Sequence, residues 1–408
     1  MSVFTSFDVL LPKAEYMEKW PVVACDQFTS QPAYWDELKD IIGDAPSALN
    51  CILPEVELKT CGEDRYELIR RSMGEYLDTG VFNSHKDSFV YIERTLLDGS
   101  VRPGIVGVID LEDYDYNADA VSAIRATEKT VVERIPPRMK VRRGAPIELS
   151  HVLLLCDDEK RGIIEPLAEK KSQLKPVYDL ELLQGGGHIS AWLVDGENAA
   201  ALQASIEDYC SRKRAEYDDV APMLFAVGDG NHSLATAKAC YEELKAKAAD
   251  ADILARARYT MVELENIMDE SQKFEPIHRI INDCKAVSLL AYLGENCCAE
   301  AGYPVRWMSG GNEGLMYLDK SKGVLPIGIL QSALDEYLKS NYGEIDYIHG
   351  EDTLRELSAK PGSIGFVLPA LSKDDFFRGI ARDGVLPRKT FSMGEAQEKR
   401  YYFEARKI

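Results

Sequence analysis

An apolar run is joined to a helical pattern through two glycines in the stretch Phe225-Ala-Val-Gly-Asp-Gly-Asn-His-Ser-Leu-Ala-Thr236. The apolar run 223–227 predicts a buried strand, and the pattern that follows predicts a helix over about 233–248. Glycine permits a sharp backbone turn and lets a ligand approach the main-chain amides. Unpaired amides at a helix N-terminus, together with the helix dipole, favour a bound phosphate. This strand, turn and helix therefore predict a phosphate site.

The same turn carries two side chains that can take part in a reaction. Asp229 offers a carboxylate for a metal ion or for activating a hydroxyl, and His232 offers an imidazole for proton transfer. In the simpler alternative, the turn only connects a strand to a helix that is capped by Asn231 or Ser233. No Walker A lysine follows, and Ser233 occupies the third glycine position of a dinucleotide fingerprint. The candidate residues of this turn are Gly228, Asp229, Gly230, Asn231, His232 and Ser233.

A basic segment upstream reads Ile124-Arg-Ala-Thr-Glu-Lys-Thr-Val-Val-Glu-Arg-Ile-Pro-Pro-Arg138. We predict a helix over 119–133, closed by the two prolines, with Arg125, Glu128 and Lys129 on one face. In a chain of net charge −20, such a cluster favours phosphate recognition. A solvated face with internal ion pairs explains the same pattern equally well.

Two further positions are candidates on weaker signals. Asp26 follows the short apolar strand predicted over 21–25, and the loop at a strand end often carries a functional residue. Pro276-Ile-His-Arg279 places an imidazole beside a guanidinium, and Arg279 is a candidate phosphate ligand. A plain turn at Asp26 and a structural role for Arg279 are the alternatives.

Composition limits the classes of partner. The 408 residues include 68 acidic and 48 basic side chains, which argues against non-specific binding to nucleic acid or an anionic membrane. The first residues lack a basic leader followed by a long apolar stretch, and no apolar run approaches membrane-spanning length, so we expect a cytoplasmic protein. Nine scattered cysteines do not form a disulfide framework. Neither a G-x-S-x-G nor an H-E-x-x-H motif occurs, which argues against a nucleophile-elbow hydrolase and a zincin.

The order of predicted helices and strands indicates a mixed α/β (α+β) fold with several antiparallel hairpins. One hairpin is expected around Asp98-Gly99. Pro276 lies in the candidate boundary, so we predict a larger domain over 1–280 and a smaller α/β domain over 281–408.

Beyond these local signals, the chain resembles a large bacterial and archaeal family labelled as a domain of unknown function. That family carries an Asp-Gly-His-His-Arg turn where this chain reads Asp229-Gly-Asn-His-Ser233. The resemblance continues in order through residues 21–27, Arg125-Ala-Thr-Glu128 with Thr130, residues 188–194, Pro276-Ile-His-Arg279 and Pro387-Arg-Lys-Thr390.

The family is in turn similar to the ParB/sulfiredoxin-like superfamily, which holds nucleotide phosphates at such a turn and includes free-serine kinases. The resemblance implies an elaborated nucleotide-binding core with ADP or ATP and Mg²⁺ at residues 228–233. It implies a kinase-like phosphotransferase for a small hydroxyl metabolite, such as free serine or phosphoserine. The alternatives are a non-catalytic nucleotide-binding regulator and a phosphatase or nucleotide hydrolase. Because Ser233 replaces the family arginine, the cation must come from Arg125, Lys129 or Arg279. The oligomeric state is left open.

Overall fold

The computed structural model describes residues 2–217, 220–387, 389–392 and 394–408. Arg388, within the Pro387-Arg-Lys-Thr390 segment, lies outside the described residues.

The chain divides by its internal contacts into two units. Unit 1 contains Met1–Gln272 together with Gly394–Ile408, and unit 2 contains Lys273–Met393. The break after Gln272 lies near the boundary expected at 280, but the last residues return to unit 1. Unit 2 is therefore inserted in the sequence of a discontinuous unit 1. The predicted domains 1–280 and 281–408 stay a prediction.

The elements are numbered along the chain. The strands are β1 (Phe4–Thr5), β2 (Phe7–Pro12), β3 (Val22–Val23), β4 (Phe82–Thr95), β5 (Val101–Asp110), β6 (Tyr114–Asp115), β7 (Ile124–Ala126), β8 (Ile147–Glu148), β9 (Leu153–Cys156), β10 (Lys175–Glu181), β11 (His188–Val194), β12 (Phe225–Asp229), β13 (Tyr259–Asn266), β14 (Glu275–Asn282), β15 (Cys298–Ser309), β16 (Asn312–Leu318), β17 (Glu344–His349), β18 (Ile364–Val367), β19 (Phe391–Ser392), β20 (Tyr401–Tyr402) and β21 (Arg406–Lys407). The helices are α1 (Pro32–Ile42), α2 (Glu63–Asp78), α3 (Ile135–Arg142), α4 (Glu165–Lys170), α5 (Gly196–Glu216), α6 (Asn231–Ala246), α7 (Ala251–Ala257), α8 (Ala286–Asn296), α9 (Pro326–Leu338), α10 (Glu351–Ser358) and α11 (Lys373–Asp383). In the described part of the chain, no helix has both the length and the apolar character needed to cross a membrane.

Unit 1 is built on a mixed sheet in the order β10-β11-β4-β5-β13-β9-β12-β7-β6. Strands β1 and β2 add to it beside β5 and β4. Strand β12 pairs antiparallel with β9 and parallel with β7, so the sequence 225–229 runs through the sheet interior. The predicted hairpin is present as β4 and β5, and Asp98 accepts a hydrogen bond from the amide of Ser100 in its turn. The predicted mixed α/β class is confirmed.

The helix predicted over 119–133 is wrong. Residues 124–126 instead form β7, which pairs in parallel with β12 at Ile124↔Phe225 and Ala126↔Val227. The two prolines at 136 and 137 fall in the first turn of α3 rather than closing an earlier helix. Proline is tolerated there because the first helical amides have no partner within the helix. Pairing with a distant strand has overridden the local helical pattern.

The sheet of unit 1 is covered on both faces. Phe89 and Tyr91 of β4 belong to one apolar cluster, while Val90 and Ile92 belong to another. Alternate residues of a strand point to opposite faces, so these two clusters lie on the two sides of the sheet. The first cluster includes residues of α5 and α6, and the second includes the C-terminal aromatic residues 401–403.

The C-terminal segment, Gly394–Ile408, is held in unit 1 by strand pairing and by buried ions. β20 pairs with β3 and β21 pairs with β8. Arg400 is buried, bonds the carboxylate of Glu263, and donates to Glu404 at 2.8 Å and to the Ser150 carbonyl at 3.0 Å. These contacts place the end of the chain against β9 and β13.

Unit 2 has its own antiparallel sheet, in the order β16-β15-β18-β14-β17, with β19 beside β14. Helices α8 to α11 belong to the same unit.

Candidate functional site

The turn between β12 and α6 adopts a conformation that favours glycine. Gly230 has φ +79°, and an added Cβ would lie 3.0 Å from Cα of Val152. Helix α6 begins at Asn231, and no side chain among the described residues caps it. The first-turn amides of residues 231–233 are therefore available to an anion. The side-chain oxygen of Asn231 is buried without a hydrogen-bond partner in the described structure, so it can also accept a bond from a ligand.

Asp229 ends β12 directly before this helix N-terminus. One carboxylate oxygen accepts a hydrogen bond from the Gly230 amide at 2.9 Å, and the other lies 3.4 Å from Nζ of Lys399. Both side chains retain some exposure, at 21% for Asp229 and 15% for Lys399. The turn therefore presents a carboxylate, an ammonium group and free amides at one place.

Asp26 contributes a second carboxylate through an ion pair with His151. Oδ2 of Asp26 lies 3.6 Å from Nε2 of His151, and Nδ1 of that ring lies 2.6 Å from the hydroxyl of Tyr402. Burial alone would raise the pKa of Asp26, but the charge and hydrogen bond of His151 hold it well below 3.8. Burial alone would lower the pKa of His151, but Asp26 and Cys25 hold it well above 6.5. The pair is a carboxylate facing an imidazolium.

Replacing Asp26 with asparagine is expected to destabilise the fold in a pH-dependent manner. The contribution of Asp26 to folding stability is fully present above about pH 3.8, because its pKa is lowered in the folded state. The contribution of His151 is lost as the pH rises through its raised folded-state pKa, where the ring loses its proton. We expect Asp26→Asn to reduce the free energy of unfolding by about 1–3 kcal/mol near pH 5.5 and by much less near pH 10. Urea unfolding at both pH values measures the difference. An equal cost at both would contradict the charged pair.

His232 lies in the first turn of α6 and has a different role from His151. Its Nε2 accepts a hydrogen bond from the Val131 amide at 3.2 Å. Burial, followed by the charges of Arg138 and Arg134, lowers the pKa of His232 below 6.5. The ring is therefore neutral near pH 7 and contributes no positive charge to the turn.

A pocket of about 110 Å³ opens beside this turn. Ser233 and Thr236 of α6 line it together with His151, Tyr402 and Cys25. The remaining wall is largely apolar, from residues 51–53, α2, α3 and residues 145–149. Through Ser233, the first turn of α6 is part of the same cavity.

The sequence profile of the family described as "Protein of unknown function (DUF1015)" matches residues 6–360. The chain belongs to this family. A search of curated proteins finds no match to the DUF1015 chain. Solved structures similar to it include a free serine kinase in complex with AMP, at 12% identity and a TM-score of 0.35, with 74% of this chain and 90% of that chain covered.

Two other solved structures are similar to the chain at comparable sequence identity and TM-score. One is SbnI with a C-terminal truncation from Staphylococcus aureus, at 10% identity and a TM-score of 0.35, covering 71% of this chain and 83% of that one. The other is a conserved hypothetical protein from Pyrococcus furiosus, at 11% identity and a TM-score of 0.32, covering 74% and 94%. Similarity at this level is too distant to transfer a ligand or a reaction to the DUF1015 chain.

Two of the predicted basic residues have hydrogen-bond partners of their own away from residues 228–233 in the sequence. The Arg125 guanidinium is buried and donates to the carbonyls of Ser122 and Ala221, at 2.9 and 2.7 Å, which indicates a structural role. Arg279 lies in unit 2, where it donates to Gln331 at 2.7 Å and to the Ile277 and Lys389 carbonyls.

Glu128 and Lys129 lie on a segment that contacts the end of β12 and the first turn of α6. Thr127 donates to the carbonyl of Val227 at 2.7 Å, and Val131 contacts His232. Glu128 and Lys129 lie between these two contacts, with Lys129 exposed and Glu128 half-buried.

Sequence reasoning missed three side chains of this site. They are His151, which directly precedes the apolar run 152–156, and Lys399 and Tyr402 near the C-terminus. A polar residue immediately before a buried strand was the available signal for His151. Lys399 and Tyr402 lack any local signal, because only the return of Gly394–Ile408 to unit 1 brings them to the turn.

Proposed function

We propose that the chain is a phosphotransferase that uses ADP or ATP and transfers a phosphoryl group to a small hydroxyl compound. The observation that carries this proposal is the uncapped first turn of α6, which lies beside Asp229 and lines the pocket through Ser233. Phosphoryl transfer depends mainly on positioning and on stabilising negative charge. The turn offers amides and cations for both purposes.

The cations of the site are supplied by residues outside the motif. The family arginine is replaced by Ser233, but Lys399 lies 3.4 Å from Asp229, and the His151 ring contacts the Gly230 turn. A phosphate bound at the first turn of α6 would therefore lie near two positive groups, the Lys399 ammonium and the His151 imidazolium. They can stabilise charge on the transferring group without Arg125 or Arg279.

Mg²⁺ fits the carboxylates only in combination with a nucleotide. The described residues contain no group of three His, Cys, Asp or Glu side chains that could hold a metal ion. Magnesium commonly binds one or two carboxylates plus substrate phosphates and water, so Asp229 is sufficient as the protein ligand. When bound, the ion would neutralise phosphate charge, while Lys399 orients the Asp229 carboxylate.

In the proposed transfer, the terminal phosphoryl group passes from the nucleotide to the hydroxyl of the acceptor. The acceptor oxygen forms a bond to the terminal phosphorus of the nucleotide, and the bond from that phosphorus to the bridging oxygen breaks. The leaving nucleotide keeps the electron pair, and the acceptor proton passes to an oxygen of the transferred phosphoryl group, because the ion-paired Asp26 carboxylate is too weak a base to take it. His151 holds Asp26 by their ion pair, and His232 contacts phosphate as a neutral donor.

Thermal unfolding with and without ADP, ATP and Mg²⁺ tests nucleotide binding. A ligand that binds only the folded state at about 100 times its Kd adds roughly 2.7 kcal/mol, which raises the melting temperature measurably. We expect a shift with nucleotide that is reduced in Lys399→Met and unchanged in Lys407→Met, an exposed lysine of the same segment. No shift with either nucleotide at millimolar concentration would contradict the proposal. Phosphate release without an acceptor would instead indicate a hydrolase.

A further inference from the structure

The pocket beside α6 is too small for a nucleotide. Its volume of about 110 Å³ is well below the roughly 300–1,000 Å³ of pockets that enclose a ligand of drug or nucleotide size. A nucleotide whose phosphates bind the first turn of α6 must therefore keep its base and sugar outside this cavity. The pocket itself is then left for the acceptor.

The inner wall of the pocket is apolar and firmly packed. Leu53, Met73, Ala145 and Ile147 line it and belong to one buried cluster that includes residues of α2. Burial of apolar ligand surface against such a wall is favourable, at about 0.8 kcal/mol for each methylene group. A fully polar ligand would gain nothing from this part of the cavity.

The charged side chains that line the pocket already have partners of opposite charge. Arg138 contacts Glu55 at 2.8 Å, and Arg142 contacts Glu148 at 3.0 Å. His151 is paired with Asp26. An ammonium or carboxylate on a ligand would have to displace one of these pairs or remain uncompensated, which is costly in a buried site. A zwitterion such as free serine therefore fits the cavity poorly.

Uncharged polar side chains line the pocket next to the first turn of α6. Ser233 and Thr236 come from α6 itself, and the Tyr402 hydroxyl contacts His151, whose ring lies against Gly230. A ligand with one hydroxyl group at this end and an aliphatic tail towards Met73 would match both walls. Its oxygen would then lie next to the first turn of α6.

We propose that this pocket binds a neutral alcohol with a short aliphatic tail as the phosphoryl acceptor. The role of the alcohol as an acceptor rests on the proposed phosphotransferase function. Binding of the alcohol does not, and it can be measured without any nucleotide. The transfer is the one described above, with the alcohol oxygen as the attacking atom. The acceptor class is thus aliphatic rather than amino-acid-like.

Calorimetric titration with the series ethanol, 1-propanol, 1-butanol and 1-pentanol, and with L-serine, tests the pocket directly. We expect affinity to rise about fourfold for each added methylene group until the cavity is filled, and no binding of serine. A flat series would overturn the inference, as would serine binding more tightly than 1-butanol. Nucleotide binding without alcohol binding would overturn this inference and leave the proposed function standing. Alcohol binding without nucleotide binding would contradict the proposed function and would leave an alcohol site that has no role as an acceptor site.

Two variants locate the bound alcohol. Ala145→Leu fills the pocket and is expected to weaken 1-butanol binding at least tenfold, while the nucleotide shift persists. Met73→Ala enlarges the same pocket and should move the best ligand to a longer alcohol, so the test survives if the filled variant fails to fold. Ala333→Leu, which makes the same change at a half-buried position lining a different cavity in unit 2, is the control for Ala145→Leu. Unchanged alcohol binding in both pocket variants would place the ligand elsewhere and overturn the inference.

Discussion

Asp229→Asn is expected to lower turnover by at least about 10²–10³-fold while the protein stays folded. Asparagine keeps an oxygen that can accept the hydrogen bond from the Gly230 amide, so the turn is preserved. It loses the negative charge that faces Lys399 and that would bind the metal ion of a nucleotide. Transfer of phosphate from labelled ATP or ADP to 1-butanol and to serine measures the effect.

The control for this substitution is Asp208→Asn. Asp208 is also a carboxylate paired with a basic residue, Arg212, but its side chain is 70% exposed on α5. We expect turnover of Asp208→Asn to equal that of the unmodified protein. Turnover of Asp229→Asn at the unmodified level, with an unchanged melting temperature, would rule out Asp229 as a residue of the transfer.

Arg400→Met is expected to destabilise unit 1 by about 3–5 kcal/mol. The Arg400 guanidinium is buried between the carboxylates of Glu263 and Glu404, and its removal leaves two buried negative charges without their shared partner. Urea unfolding followed by tryptophan fluorescence measures the loss. Removing one member of a buried ion pair lowers the free energy of unfolding far more than removing one member of an exposed pair. The usual contribution of an exposed pair is below about 1 kcal/mol.

Lys407→Met provides the comparison for Arg400→Met. Lys407 lies on β21 in the same C-terminal segment, but its side chain is exposed. We expect its substitution to change the free energy of unfolding by no more than about 0.5 kcal/mol. A loss below about 1 kcal/mol for Arg400→Met would mean that the C-terminal segment is held mainly by strand pairing and apolar packing.

The sequence allowed the strand, turn and helix at 225–246 to be predicted because every signal in that stretch is local. An apolar run, a glycine with positive φ and a helical pattern follow one another within a few residues. The β4–β5 hairpin was predictable for the same reason, since Asp98-Gly99 specifies its turn. Local signals also identified Asp229 and Ser233, which the structure places at the turn between β12 and α6 and in the pocket wall.

Features that depend on distant pairing could not be predicted in this way. Strand β7 exists because β12 offers it a parallel edge, and residues 124–126 alone do not indicate this. The partner of Asp26 is His151, more than a hundred positions away, and Lys399 reaches Asp229 only through the return of the last residues. Arg279 was grouped with the turn on chemistry alone, and it lies in unit 2.

The discontinuous path of unit 1 has a consequence for synthesis on the ribosome. Lys399 and Tyr402 are translated after the whole of Lys273–Met393, so the nascent chain lacks them for roughly 6–24 s at ordinary elongation rates. During that interval β3 and the Glu263 carboxylate lack their partners in the C-terminal segment, which has not yet been synthesised. A premature stop near the 3′ end of the message would thus release a nearly full-length chain without the side chains that contact Asp229 and His151.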